Sequence, residues 1–325
     1  MQRVSAAGRR GHRLAMMVCA AALVMAAAIV RAQTPASAPA ATAASTSAST
    51  LDRVRASARI RLGYRVDARP FSYKDESGQA AGYAVALCQK IADAAKADLG
   101  LGTLAVEWVP VTVATRFTAV QRGEIDVLCG PDAITLAARR DVAFSIPVFP
   151  GGVGALLRAD APLRLREVLS GRPPAPTPIW RANATQILQA RDFTVVASTA
   201  TETWLAGRAS DLDVVAKIAP VNSVDAGVQA VLDRRADVFF AERSVLLEAA
   251  RRSASPGELL VIDRLFTYSP LALTFRRGDD DFRLLVDRTL SHMYGSGEIG
   301  GLYAKWFGEP DGNAMTFFRW NTLPD

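Results

Sequence analysis

Apolar and polar positions along this chain switch between two periods, and the switches mark its elements. Residues 60–64 are a short apolar run that reads as a strand, and residues 83–95 repeat apolar side chains at helical spacing. Residues 104–109 predict a second strand, and 114–122 a second helix that Gly123 ends. Residues 125–129 are apolar enough for a strand buried on both faces. Gly130 and Pro131 then open a loop, residues 135–140 read as one or two helical turns carrying paired arginines, and a further strand leads to Phe149. Gly151 and Gly152 interrupt the pattern before a strand at 153–158.

Residues 162–178 are loop-rich, with a Pro-Pro-Ala-Pro-Thr-Pro cluster from Pro173. A second alternation follows, with strands at 193–197, 214–218 and 237–240 and helices at 201–208, 224–234 and 244–252. Strands at 259–264 and 271–276 and helices at 282–296 and 299–306 close the chain. Strand–helix alternation of this kind implies an α/β fold with mostly parallel sheets and helices on both faces. Two such halves joined by two extended crossings imply two lobes, and no repeat suggests a solenoid.

The amino terminus changes the accounting. Arg3, Arg9, Arg10 and Arg13 precede an Ala- and Met-rich apolar run over residues 14–30, and Val30-Arg31-Ala32 offers small residues for a signal peptidase. Residues 1–32 are therefore expected to be a cleaved signal peptide. Residues 33–50, nearly all Ala, Ser, Thr and Pro, are expected to be a flexible linker. The signal carries five arginines and no acid, so the net charge of +6 falls to about +1 without it. That removes any electrostatic argument for nucleic-acid binding.

Past the signal, Cys88, Cys129 and a single histidine, His292, remain. The two cysteines either pair as a disulfide or stay as two buried thiols, and the sequence leaves both open. One histidine argues against a structural zinc site and a histidine-bridged metal pair, so neither metal nor cofactor is expected.

The order from Gly123 to Phe149, with Gly-x-Ile-Asp, strand, loop, Ile-Thr, arginine and then Val-x-Phe-Ser, resembles the bacterial extracellular solute-binding proteins of family 3. The closing Leu302-Tyr303-Ala304-Lys305-Trp306-Phe307-Gly308 is similar to the same family, and the resemblance spans about residues 51–308. It implies the type II periplasmic-binding-protein fold, with two α/β lobes around a hinged ligand cleft. Lobe 1 would take residues 51–150 and 272–325, and lobe 2 residues 151–271. It further implies a monomeric periplasmic receptor, not an enzyme, that captures an amino acid for an inner-membrane ABC permease. Two alternatives share the scaffold: a cyclohexadienyl dehydratase-like lyase, and a partner protein of a periplasmic quinoprotein dehydrogenase.

The same resemblance implies the ligand contacts. Arg139 would hold the ligand's α-carboxylate with its planar fork. The family's arginine, counted back from Phe144, falls on Ala138, so Arg139 stands one place late. Ala197-Ser198-Thr199-Ala200-Thr201-Glu202 is similar to the family's strand-to-helix turn, and Thr199 with Glu202 has capping-box spacing. Thr199 and Thr201 are thus expected at an anion-holding helix start. Glu242, at the end of a strand, would receive the ammonium. Gly63-Tyr64-Arg65 with Pro70-Phe71-Ser72-Tyr73 resembles the glutamate/aspartate-binding members, which assigns Arg65 to an acidic side chain and Tyr64 or Phe71 to an apolar wall.

Overall fold

Two five-stranded sheets, each covered by helices on both faces, carry the architecture. The computed structural model describes residues 49–171 and 184–324. Its elements are α1 (Thr50–Ser57), β1 (Arg59–Arg65), β2 (Asp67–Ala68), β3 (Ser72–Lys74), β4 (Ala80–Ala81), α2 (Tyr83–Asp98), β5 (Ala105–Val111), α3 (Arg116–Gln121), β6 (Val127–Ala133) and β7 (Ala143–Phe144). Next come β8 (Val153–Arg158), α4 (Leu163–Ser170), α5 (Ala184–Leu188), β9 (Asp192–Val196), α6 (Ala200–Asp211), β10 (Lys217–Val221), α7 (Val224–Leu232), β11 (Val238–Glu242) and α8 (Arg243–Arg252). The chain closes with β12 (Leu259–Val261), β13 (Leu271–Phe275), α9 (Asp280–Ser296), α10 (Glu298–Phe307) and α11 (Gly312–Asn321).

The first sheet has the order β5-β1-β6-β13-β7, and the second β10-β9-β11-β8-β12. In the first, β1 runs parallel to β5 and β6, while β13 is antiparallel to β6 and β7. The second repeats this plan with β9 parallel to β10 and β11, and β8 antiparallel to β11 and β12. Strands this apolar are buried on both sides. On β6, Val127 and Cys129 join one core cluster and Leu128 another. On β11, Phe239 and Ala241 join the first of these while Val238 and Phe240 join a third. The period-two alternation of a strand thereby welds helices to both faces.

Two crossings connect the sheets, and they run backbone against backbone. The Leu271 N–H donates to the Phe149 carbonyl at 2.9 Å, and the Ser269 N–H to the Gly151 carbonyl at 2.8 Å. A Cβ at Gly152 would stand 2.1 Å from the Thr267 carbonyl oxygen, and one at Gly151 2.7 Å from Leu271 Cγ. The glycine pair is required by this approach. Phe149, at the first crossing, packs 4.6 Å from Phe307 and 5.9 Å from Tyr303, so α10 braces the junction.

Four local readings are corrected. Residues 49 and 50, expected in the linker, belong to the folded body: Ser49 caps α1 by accepting the Asp52 N–H at 3.1 Å, and the Thr50 N–H donates to Asp279 Oδ2 at 3.0 Å. Within the loop-rich stretch, Leu165 and Leu169 lie one helical turn apart and both are buried, which forms α4 up to Gly171. The strand expected at 214–218 lies at Lys217–Val221; as an edge strand with no fully buried residue it gives a weak pattern. Helix α11 had no counterpart in the sequence reading, and it is held by buried Phe317 and Phe318 and an Asp311 cap. The signal peptide expected at residues 1–32, the rest of the expected linker (33–48) and the Pro173 cluster lie outside the described residues.

Cys88, on α2, and Cys129, on β6, are disulfide-bonded with their Cα atoms 6.1 Å apart, both fully buried. The bond ties the helix to the central strand and closes a loop of 41 residues. Chain entropy assigns such a loop ~4 kcal/mol. Replacing both cysteines by alanine is expected to lower the urea unfolding free energy by ~2–4 kcal/mol. Equilibrium denaturation of the two proteins, each comprising residues 49–325, checks this; equal midpoints would show that the bond contributes nothing.

Candidate functional site

In an open α/β sheet, a crevice forms outside the carboxyl ends of strands where the strand order reverses. Both sheets have such a point: β1 sits between β5 and β6, and β9 between β10 and β11. Arg65 ends β1, Asp132 lies near the end of β6, Ser198 and Thr199 follow β9, and Glu242 ends β11. All five line one cavity of about 530 Å³. Phe117, Trp204 and Phe240 add aromatic surface to it.

Arg65 is buried, and its Nε and Nη2 donate to Asp67 Oδ1 at 3.1 and 2.8 Å. Its charge is therefore balanced within the fold. Arg116, which opens α3, is also buried and donates from Nε to Asp132 Oδ1 at 2.6 Å. Its Nη1 donates to the Val113 carbonyl, and both Nη1 and Nη2 reach the Ser198 carbonyl at 3.3 Å. That contact links the first sheet's half to the second's. The other carboxylate oxygen of Asp132, Oδ2, is buried and has no hydrogen-bond partner.

The sequence reading missed Arg116 and Asp132. An arginine at the first position of a helix opposes the partial positive charge there, and this is the one oddity that marks it. Nothing in the sequence brings the two residues together, since their pairing depends on how α3 packs against β6.

In the second half, Ser198 adopts a left-handed backbone with φ of 60°, and Thr199 starts α6. Thr199 Oγ1 accepts the Glu202 N–H at 3.3 Å, and Glu202 Oε2 reaches back to accept the N–H of Ser198, the residue before the cap, at 2.7 Å, an arrangement close to a capping box. The Ala200 and Thr201 amides belong to the first turn, where no intrahelical acceptor exists, and both residues line the cavity. Glu242 caps α8 by accepting the Val245 N–H at 3.0 Å. Burial pushes its carboxyl up to about 7, although the N–H groups of Val245, Ser244 and Gly152 pull the other way.

Three expected residues are not brought to this cavity. Arg139 sits on a single 3₁₀ turn, Ala138–Arg140, is exposed, and lines a separate cavity of about 290 Å³ with Arg277 and Arg283. Ala138 faces the cleft instead, beside Pro131, Ala133 and Ala137. One step along a 3₁₀ turn rotates a side chain by ~120°, so the one-residue offset is decisive. Tyr64 is buried with Ile60 and Leu62 on the helix-packed face of β1, edge-on to Trp108 at 6.3 Å. Phe71 lies in the aromatic cluster of the crossing, 4.8 Å from Phe149 and 5.3 Å from Phe307.

Residues 60–309 match the family model described as bacterial extracellular solute-binding proteins, family 3. The chain is 27% identical over 262 residues to the L-glutamate/L-aspartate-binding protein of Pseudomonas aeruginosa, covering 80% of each. It is 28% identical over 257 residues to a putative amino-acid ABC transporter-binding protein of Escherichia coli, covering 77% of this chain and 67% of that one. Among solved structures, it is similar to an ancestral amino acid-binding protein described as a precursor of cyclohexadienyl dehydratase, with a TM-score of 0.65, 25% identity, and coverage of 80% of this chain and 100% of the other. A mutant of the arginine-binding protein from T. maritima, at 21% identity and a TM-score of 0.64 with coverage of 80% and 99%, shares the fold.

Two substitutions separate the arginines. Arg116→Ala leaves Asp132 buried without its counter-charge and is expected to cost ~3–5 kcal/mol of stability. Arg139→Ala is expected to change neither stability nor solute affinity measurably. Thermal unfolding and calorimetric titration of the two variants check both expectations.

Proposed function

The chain belongs to the bacterial extracellular solute-binding proteins, family 3, and on that premise we propose that it is a periplasmic receptor that captures an amino acid and hands it to an ABC importer. The observation that carries this reading is the single cavity between two switch points, with a carboxylate from one half and arginines from the other. Glu242 receives the ligand's ammonium. The free amides of Ala200 and Thr201 hold its carboxylate at the start of α6. With Ala138 at the cleft, no arginine of that turn reaches it, so the helix start takes over that role. The similarity to glutamate/aspartate-binding relatives supports an acidic amino acid as the solute. Arg65 is then the residue that reads the acidic side chain, sharing its guanidinium between ligand and Asp67. The protein works as a monomer and binds without covalent chemistry.

A lyase reading draws on Glu242, whose carboxyl near neutrality suits proton transfer, and on the dehydratase lineage of one structural neighbour. Incubation with prephenate or arogenate is expected to give no product; turnover would favour the lyase.

Calorimetric titration of the leaderless protein against the amino acids is expected to find at least one that binds. Glu242→Gln should weaken that binding by roughly 30- to several-thousand-fold, the cost of truncating one partner of a buried charge pair. A protein that binds no amino acid, or a variant that binds equally well, overturns the assignment.

Glu242 also sets a pH dependence. Its folded-state value of about 7 lies above the ordinary 4.5. The native empty protein therefore holds that proton more tightly than the unfolded chain, and the group's contribution to stability is lost as pH rises from about 4.5 through 7. An ammonium ligand needs the ionised form, so its affinity should fall by up to about tenfold per pH unit below 7 and level off above 8. Titrations between pH 5.5 and 8.5 check this, and Glu242→Gln should flatten both the affinity and the stability profiles.

A further inference from the structure

We propose that Asp132 is a built-in anion. Its carboxylate fills the seat at Arg116 that a solute carboxylate would otherwise take, and so turns anionic groups away from this wall of the cleft. The inference rests on the reading of this cavity as the solute site.

Three observations lead to it. First, Arg116 and Asp132 both line the cavity, yet their side chains are only 10% and 4% exposed and meet at 2.6 Å. A buried guanidinium on a ligand-cavity wall is a ready anion site, and here its Nε already donates to a carboxylate of the chain itself. Second, Asp132 uses one oxygen on Arg116 and leaves Oδ2 buried with no partner. Such an oxygen is costly and does nothing for the ion pair, which a smaller or neutral residue would spare. Third, apart from Arg65 the rest of this wall is apolar except for Thr135 and the acidic Asp141, so it offers no further cation to an incoming carboxylate. Arg65, the other cleft arginine of this half, already has Asp67 at 2.8 Å.

A carboxylate tethered next to its arginine has an effective concentration far above that of a free solute, so a ligand carboxylate cannot displace it easily. The paired Arg116 is also aimed across the cleft, with two nitrogens at 3.3 Å from the Ser198 carbonyl. The internal anion thus keeps the link between the halves in place whether or not the solute is acidic. Asp132 is a specificity-determining residue on this account. It restricts acidic solutes to the single arginine at position 65.

The test is chemical rescue. Asp132→Ser and the nearly isosteric Asp132→Asn remove the internal anion and leave Arg116 in place. In low-salt buffer without carboxylates, both variants should unfold at lower temperature than the natural protein. Acetate, and then succinate or glutamate, should raise their unfolding temperatures saturably, because an anion that binds only the native state stabilises it by mass action. Calorimetric affinity for succinate or glutamate should be at least tenfold higher in Asp132→Ser than in the natural protein. Adding Arg116→Ala to either variant should abolish the rescue.

Destabilised variants that acetate and succinate do not restore would make Asp132 a structural partner only, and the proposal would fail. It would also fail if the natural protein bound succinate as tightly as the Asp132→Ser variant does. Neither result touches the amino-acid reading, which the titration of the natural protein decides by itself.

Discussion

The twofold passage of the chain between its two sheets is the constraint on which the rest is built. At that passage two backbone segments lie in hydrogen-bonding contact, and Gly151 and Gly152 leave no room for a side chain on either. Because the connections are short and paired, the carboxyl ends of β1 and β6 and those of β9 and β11 open into one cavity. Each sheet alone would offer a shallow crevice at its switch point. Brought mouth to mouth, the two crevices enclose a volume suited to a small solute. The rings of Phe149, Tyr303 and Phe307 fix the junction from behind, which gives the carboxyl-terminal helices a part in shaping the cleft.

Most of this plan could be read from residue order. The strands β1, β6, β9 and β11 announce themselves as short apolar runs followed by polar loops, and the switch-point rule then points to whatever stands at their ends. Arg65, Thr199 and Glu242, which the family resemblance singled out, stand at such ends and line the cavity. Arg139 was not decided by the same logic, because a single 3₁₀ turn sends neighbouring residues in different directions and the cleft received Ala138. Tyr64 directly precedes Arg65 and Phe71 lies three residues after Ala68, yet both belong to the core, where alternation along β1 and the aromatic cluster place them. Helix α4 was hidden by the prolines that follow it, and β10 by its position at an edge. The Arg116–Asp132 pair is the hardest case: the two residues lie on different elements, and only packing makes them neighbours.

The electrostatics of the cleft follow one rule. Both arginines on the wall from the first sheet bring their own carboxylates, Asp67 and Asp132. Across from them, Glu242 has burial as its main perturbation and sits near its own midpoint at neutral pH. Each cleft arginine is thus neutralised within its own half, which avoids the cost of stripping water from unpaired cations. Selectivity then comes from which of these pairs a solute can enter.

The bond between Cys88 and Cys129 makes the sturdiness of the body depend on the redox state of its surroundings. Thiols of this kind remain reduced in a cytosol and oxidise outside it. A chain still among reductants lacks the clamp between α2 and β6 and is correspondingly easier to keep unfolded. The same sequence is thus softer among reductants and firmer in an oxidising compartment, with no change other than the loss of two hydrogens.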